Sequence, residues 1–488
     1  MTRLRPGGAL PLALIGWLAF VEITSGILQG YYVTITTEIA RNLNINDADV
    51  NWFEAGNLLV SALVVPVLAK LGDMYGHKKI LLISTAVTAG ASWWMAFSGD
   101  FWSYLIAFSL QGFFSVWLPL EIALIFDRGR RRGSLPSTTR RAAGLLVVAL
   151  QAGAIIGALG AAQAYRLFDG AMTATLVVPA VAVSLAFFAI LFGVEESKPL
   201  PGRTLDSFGF VLLAFSLMTI TSGLTFLKLS GAGAWWAWLL IAFGFALLVP
   251  FGRWVLGRKD PAIDLKVMRK PTMWPVQATA ALVGVSLLGA QAPLATFAGT
   301  DPGTYGYGLG LDAGGRSILI GVYLLTLIVG ASLLAILSRR VKPRLLLIVS
   351  AGLVGTGYSL LTLLHDEVWQ VFLCMGVAGL GCGALVGALP AAAAAAAPLG
   401  QTGIAAGLTN TTKTIGGSFA SSTFAIVLAA GAVGTAASMT GYISVWLVCG
   451  ITAFAAMVLL FFVPKLAFAD ETAGPPATSS INELNLKI

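Results

Sequence analysis

Residues 69–79 read Ala69-Lys70-Leu71-Gly72-Asp73-Met74-Tyr75-Gly76-His77-Lys78-Lys79. This short polar stretch, basic but for one aspartate, joins two long apolar runs at about 51–69 and 79–98. A hydrocarbon core about 30 Å thick takes roughly 20 apolar residues of helix. Each run is therefore long enough to cross a bilayer, and the stretch between them is a turn at the membrane surface. Lipid offers nothing to a bare backbone, so only helices or closed barrels span it. The runs are continuous rather than alternating, which selects helices.

The same pattern recurs along the chain, at about 11–35, 51–69, 79–98, 102–126, 142–166, 171–193, 207–228, 233–256, 273–299, 316–337, 345–364, 368–396, 404–430 and 440–464. The composition agrees: 57% hydrophobic and only 11% charged, where a soluble domain carries about 25% charged residues. The expected fold is an all-α polytopic membrane protein. Arg3 and Arg5 precede the first run, but its length and Glu22 within it argue for a retained helix rather than a cleaved signal.

Charge fixes the expected orientation. With the N-terminus cytoplasmic, all of the 30 Lys and Arg fall on the cytoplasmic side except Arg41, Arg166, Lys228, Arg316 and Lys413, the last lying within a span. Basic residues gather in cytoplasmic loops, so both termini are expected in the cytoplasm of a cell-membrane protein. The net charge of +8 then reflects topology and not a nucleic-acid partner. Cys374, Cys382 and Cys449 all lie inside apolar runs without metal-type spacing. They read as inert thiols, and no metal or cofactor is expected.

Two sequence matches suggest duplicated halves. Leu68-Ala69-Lys70-Leu71 before a basic turn matches Leu334-Ala335-Ile336-Leu337 before another, 266 residues on. Ala142-Ala143-Gly144-Leu145 with Gly153 matches Ala405-Ala406-Gly407-Leu408 with Gly416, 263 residues on. The expected organisation is a six-helix bundle at 1–196, a link with two inserted helices at 197–272, a second six-helix bundle at 273–465 and a disordered cytoplasmic tail at 466–488. Parallel six-helix repeats with a site between them at midplane are an architecture of secondary transporters.

The turn at 69–79 resembles the G-x-L-(A/G)-D-x-x-G-(R/K)-(R/K) signature of the major facilitator superfamily, and the chain as a whole is similar to its fourteen-helix drug/proton antiporter branch. Trp52, Pro66, Gln111-Gly112, Asp206 with Gly209, Pro261 to Leu265, and Gly403 to Gly417 stand where that branch has matching motifs. The chain departs from the branch at three positions. Leu28 stands at the first-span acid, Phe108 at the fourth-span arginine, and Ala158 at the fifth-span proline. The resemblance implies alternating access, with the turn acting as a cytoplasmic gate through Gly72, Asp73, Gly76, Lys78 and Lys79.

Ionisable residues inside spans are costly and mark pathways or partners. Glu22 lies about 16 Å into the first span at 1.5 Å per residue, on a stripe with Ser25, Gln29, Tyr32 and Thr36. It is the expected proton carrier. Glu121 follows Pro119 in the fourth span and reads as a second proton site, an inner gate or a snorkelling acid. Glu54, near Trp52, reads as an interfacial anchor. Lys413, with Asn410 on its face, reads as a cavity cation or a structural ion pair. The Gly-rich stretches 26–30 and 153–157 read as packing surfaces.

No catalytic triad or phosphate-binding loop is present, so an enzyme is not expected. The expected function is a monomeric, proton-coupled exporter of amphipathic small molecules, whose partners are substrate, protons and lipids. An uptake carrier, facilitator or lipid transporter of the same fold is the alternative, followed by a membrane receptor or scaffold.

Overall fold

The computed structural model describes residues 12–462, except 132–135, 198–203, 397–401 and positions 232, 259, 260, 262, 272 and 339. The tail at 466–488 and most of the link at 197–204 lie outside the described residues. Fourteen long helical segments follow in chain order. They are α1 Leu12–Thr34, α2 Val50–Tyr75, α3 His77–Ala96, α4 Phe101–Gln111 continuing through Gly112–Val116 and Trp117–Arg131, α5 Pro136–Leu167, α6 Met172–Gly193 and α7 Ser207–Ser230. Then come α8 Trp235–Leu256, α9 Trp274–Gly284 continuing through Val285–Gly289 to Gln291–Gly299, α10 Ala313–Leu337, α11 Pro343–Leu361, α12 Val368–Ala396, α13 Thr402–Ala429 and α14 Met439–Leu460.

Among the described residues there is no strand, and twelve helices are long and apolar enough to cross a membrane. The chain is an all-α, multi-pass membrane protein. The two long segments outside those twelve are α3 and α13, both rich in Ser and Thr. In α3 these hydroxyls are satisfied within the helix. Thr85 donates to the Leu81 carbonyl at 2.7 Å, Thr88 to that of Ser84 at 2.9 Å and Ser92 to that of Thr88 at 2.8 Å. Back-bonding of this kind removes the cost of an otherwise bare hydroxyl.

One expectation needs correction. The stretch 69–79 is scarcely a loop, because α2 runs on to Tyr75 and α3 starts at His77. A single residue, Gly76, makes the reversal at φ 107°, a conformation that only glycine adopts without strain.

The glycines of the first and fifth spans meet each other. A Cβ on Gly26 would run into the Leu150 carbonyl oxygen, and one on Gly153 into that of Ile23. The second half repeats the crossing between α9 and α13, where Gly284 abuts the Lys413 carbonyl and Gly416 that of Ala281. Small residues let helix backbones approach closely where lipid supplies no hydrophobic drive. Glycine crossings of the same kind thus join α1 to α5 and α9 to α13. Helices α7 and α8 pack on each other through Gly223 and Gly244. The Asp206 carboxylate, at the start of α7, accepts from the Gly209 N–H at 3.1 Å and the Trp254 indole at 2.9 Å.

Loop contacts sort the chain ends of the helices onto two faces. Residues 35–49, 166–171, 300–316 and 430–438 meet on one, called here the Asp47 face. Residues 70–79, 128, 195–197 and 261 meet on the other, the Gly76 face.

Candidate functional site

Glu22 of α1 and Glu121 of α4 lie side by side and are both fully buried. Among the described residues, no group other than the facing acid is placed to donate a hydrogen bond to their four carboxyl oxygens. Glu121 is therefore not a snorkelling acid. Its position follows from a break in α4. The helix tightens to a 3-10 turn over Gly112–Val116 just before Pro119, and proline both removes a donor and crowds the preceding turn. Polar residues of α2 occupy the carbonyls so loosened. Asn57 Nδ2 donates to the Phe108 carbonyl at 2.9 Å, and Ser61 Oγ to that of Gly112 at 3.0 Å.

The stripe read on α1 divides. Ser25 is buried beside Glu22 on the helix, whereas Gln29 is exposed. Tyr32 is buried, and its hydroxyl accepts from Gln111 Nε2 at 2.8 Å, which also reaches Ser92 at 2.8 Å. Lys413 is partly buried in α13 and has no hydrogen-bond or ion-pair partner among the described residues. It forms no ion pair among the described residues, and it is not among the charges acting on Glu22 or Glu121. Asn410 is likewise partly buried, one turn away. Next to it Gln277 of α9 donates to Thr409 Oγ1 at 3.0 Å and accepts from Thr412 at 3.0 Å. Glu54 is not an interfacial anchor, since it lines a cavity within the bundle.

At the Gly76 face the structure adds residues that sequence reasoning missed. The free N–H groups opening α3 are taken by the segment after α6. Glu196 accepts from the backbone of Lys78 at 2.9 Å and Lys79 at 3.1 Å, and Ser197 Oγ accepts from His77 at 2.9 Å. Arg128 of α4 ties the same segment down through Glu195 at 2.6 Å. Asp73 meets His77 Nε2 at 3.3 Å, and Gly72 leaves room for Leu120. A carboxylate at a helix N-terminus satisfies orphan donors and the helix dipole. Glu196→Ala is expected to lower stability by about 1 kcal/mol, read as an earlier thermal unfolding of the detergent-purified protein. Glu196→Asp should recover part of it.

The Asp47 face carries ion pairs and hydrogen bonds between the first and last parts of the chain. Arg316 of α10 is ion-paired with Glu38, almost wholly out of water. Arg166 reaches Asp312 at 2.6 Å in an exposed pair. The Asp47 N–H donates to the Thr435 carbonyl at 2.9 Å, and Asn46 Nδ2 to that of Gly434 at 3.0 Å. Arg41 holds the Asp47 carboxylate at 2.9 Å, and Lys228 pairs with Asp49. The four cations that broke the charge asymmetry in the sequence, Arg41, Arg166, Lys228 and Arg316, are thus each matched to a carboxylate on this face. Their exceptional placement was the signal, although the partners were not readable from it.

Ionisable groups buried inside an all-helical membrane bundle whose loops are ion-paired at one face are what a carrier needs. The family profile of the Major Facilitator Superfamily matches residues 18–421, and the chain belongs to this family. It is a transporter rather than an enzyme. It is 26% identical to a triacylglyceride transporter of Mycobacteroides abscessus, over 83% of this chain and 81% of that one. It is 24% identical to the tetracenomycin C resistance and export protein of Streptomyces glaucescens, over 85% and 76%. Among solved structures it is similar in fold to a POT peptide transporter, a point mutant in complex with sulfate. The TM-score there is 0.65, at 13% identity, covering 93% of this chain and 94% of the other.

Proposed function

We propose that the protein is a proton-coupled exporter of amphipathic small molecules that works by alternating access. The observation that carries this is the Glu22–Glu121 pair. Two carboxyls side by side, out of water and with no other donors, do not both hold a charge in a low dielectric. A proton held between them, and lost when one half swings and admits water, is what coupling requires. The bundles at 1–196 and 273–465 are the rocking bodies, with 197–272 as the link, and fourteen spans cross the membrane. Lys413 and Asn410 line the substrate path from the second half. The turn at Gly72, Asp73, Gly76, Lys78 and Lys79 latches the cytoplasmic side. The Streptomyces relative, a tetracenomycin C export protein, supports the same direction. Flux of dye-like amphiphiles in liposomes with and without an imposed pH gradient tests it. Flux that ignores the gradient would leave a facilitator.

A lipid transporter is the second reading. It is favoured by the loss of the branch's acid at Leu28 and arginine at Phe108, and by the triacylglyceride relative.

The orientation has its own test. Cys374, Cys382 and Cys449 are buried, so they stay silent toward a membrane-impermeant thiol reagent. Asp366→Cys, at a site 82% exposed on its side chain, is expected to label in intact cells. Lys342→Cys, also exposed, is expected to label only after permeabilisation. The reverse pattern would invert the molecule.

A further inference from the structure

The chain between α8 and α9 carries an excess of positive charge that the fold does not use. Residues 253–270 hold six basic side chains against two acidic ones. The Pro261 carbonyl, which accepts from Lys70, puts this stretch on the Gly76 face. Its apolar side chains turn inward. Val267 is buried in one core with Met273 and Val276, and Ile263 in another with Phe210 and Phe251. A Cβ on Gly252 would stand 3.7 Å from Leu265, so the end of α8 lies against the one-turn helix Leu265–Met268. Around this contact Arg253, Arg258, Lys266, Arg269 and Lys270 are all exposed.

Other cations of the same face are bonded within the protein. Arg128 pairs with Glu195, Lys78 Nζ donates to the Leu191 carbonyl and Lys70 Nζ to that of Pro261. The side chains of Arg253, Lys266, Arg269 and Lys270 have no partner among the described residues. The neighbouring acids are already engaged. Asp264 accepts from the N–H groups of Lys266 and Val267 at 3.1 Å each, and Asp206 from Gly209 and the Trp254 indole. Arg258 lies on the face of that same indole, 4.1 Å from the ring centre, which fixes its guanidinium at the surface. Trp274, 44% exposed at the start of α9, has the placement of a residue at headgroup level. Topology asks only for positive charge somewhere in this loop. It does not ask for an apolar side turned inward, a basic side turned outward and an arginine held on a tryptophan. From these unpaired cations on one side of a segment at the end of a span, we propose that residues 253–270 bind the headgroups of anionic phospholipids. Lys266, Arg269 and Lys270 pair with the phosphates, and Arg253 reaches the same layer from the last turn of α8. Each cation near an anionic bilayer surface strengthens such attachment severalfold. The lipid sits where the link touches both α2, through Lys70, and the core of α9, through Val267.

This surface does not depend on what the protein carries or on how transport is coupled. The test is native mass spectrometry of the purified full chain, titrated with phosphatidylglycerol or with phosphatidylcholine of the same acyl chains. The wild type is expected to bind phosphatidylglycerol at least about fivefold tighter. Joint replacement by Arg253→Gln, Lys266→Gln, Arg269→Gln and Lys270→Gln should remove most of that preference without changing phosphatidylcholine binding. Lys266→Gln and Lys270→Gln alone should each remove part of it, which keeps the test sound if the fourfold variant folds poorly. Lys266→Arg with Lys270→Arg should bind as the wild type does. Arg340→Gln with Lys342→Gln, exposed cations between α10 and α11, should keep the preference. Equal affinity for the two lipids, a preference that survives the Gln replacements, or an equal loss in the Arg340 and Lys342 variant would overturn the proposal. Displacement of the lipid by soluble glycerol phosphate would do so too, since the surface would then be one for free anions.

Discussion

Glu22→Gln is expected to reduce transport driven by a pH gradient to the level of empty liposomes, while exchange of substrate down its own gradient survives. Glutamine keeps the size and hydrogen-bonding reach of the side chain but cannot carry a proton. Leu28, the residue at the branch's usual acid, cannot substitute. Glu121 remains beside position 22 but loses the like-charged neighbour that makes the pair share a proton. Glu22→Asp should retain part of the activity with a displaced pH optimum, because the shorter acid still titrates but no longer fits against Glu121. Lys413→Ala should leave that optimum where it is, since Lys413 is not among the charges acting on the pair, although affinity for substrate should change. Intact proton-driven flux in Glu22→Gln would make Glu22 structural and pass the role to Glu121.

How far the sequence carried this picture depends on the kind of signal. The helices themselves were readable because lipid imposes one rule on every span, an uninterrupted apolar run, but their polar ends beyond the lipid, such as 70–75, were not. Even α13, with its cluster of Thr409 to Thr414, was visible through its repeat of Ala142 to Gly153. The glycine stretches 26–30 and 153–157 were readable as packing surfaces too, as small residues four apart have few other uses in a membrane. Pairings across the chain were not. Glu22 and Glu121 were each singled out, but nothing in their spacing places one against the other. That placement comes from the break of α4 at Gly112–Val116 and from the Gly26–Gly153 crossing. Glu54 was misread for a related reason. A carboxylate near a tryptophan at a span end has the pattern of an anchor, and only the packing of Tyr104 and Phe108 around it shows that it faces inward. Glu196 was invisible, since a cap supplied from over a hundred residues away leaves no local motif.

The clasp yields the second large effect. Arg316→Ala leaves Glu38 in a nearly dry position without its partner. Losing one member of a buried pair costs roughly 3–5 kcal/mol, and about 1.4 kcal/mol is tenfold in a conformational equilibrium. The conformer clasped at the Asp47 face should therefore give way to one open there. Spin labels at Leu167 and Val433, both exposed at that face, should show the distance distribution moving to longer values. Arg166→Ala should move it little, because exposed pairs contribute about 0–1 kcal/mol. Acid separates the two links. The Gly315 N–H, and after it Arg166, hold the Asp312 carboxyl below the usual carboxylate range. The Gly315 bond caps Asp312's own helix and holds in either state, so only the Arg166 part of the depression favours the clasped state. That part is present above the carboxyl's pKa in the open state and disappears as pH falls through the clasped one. Acidification of the Asp47 face should therefore loosen the Arg166–Asp312 link. In Asp312→Asn this part of the pH response should vanish, with the Arg316–Glu38 pair still closing the face. An unchanged distance distribution in Arg316→Ala would mean that the bonds from the Asp47 N–H and the Asn46 side-chain amide to the 434–436 loop keep that face closed.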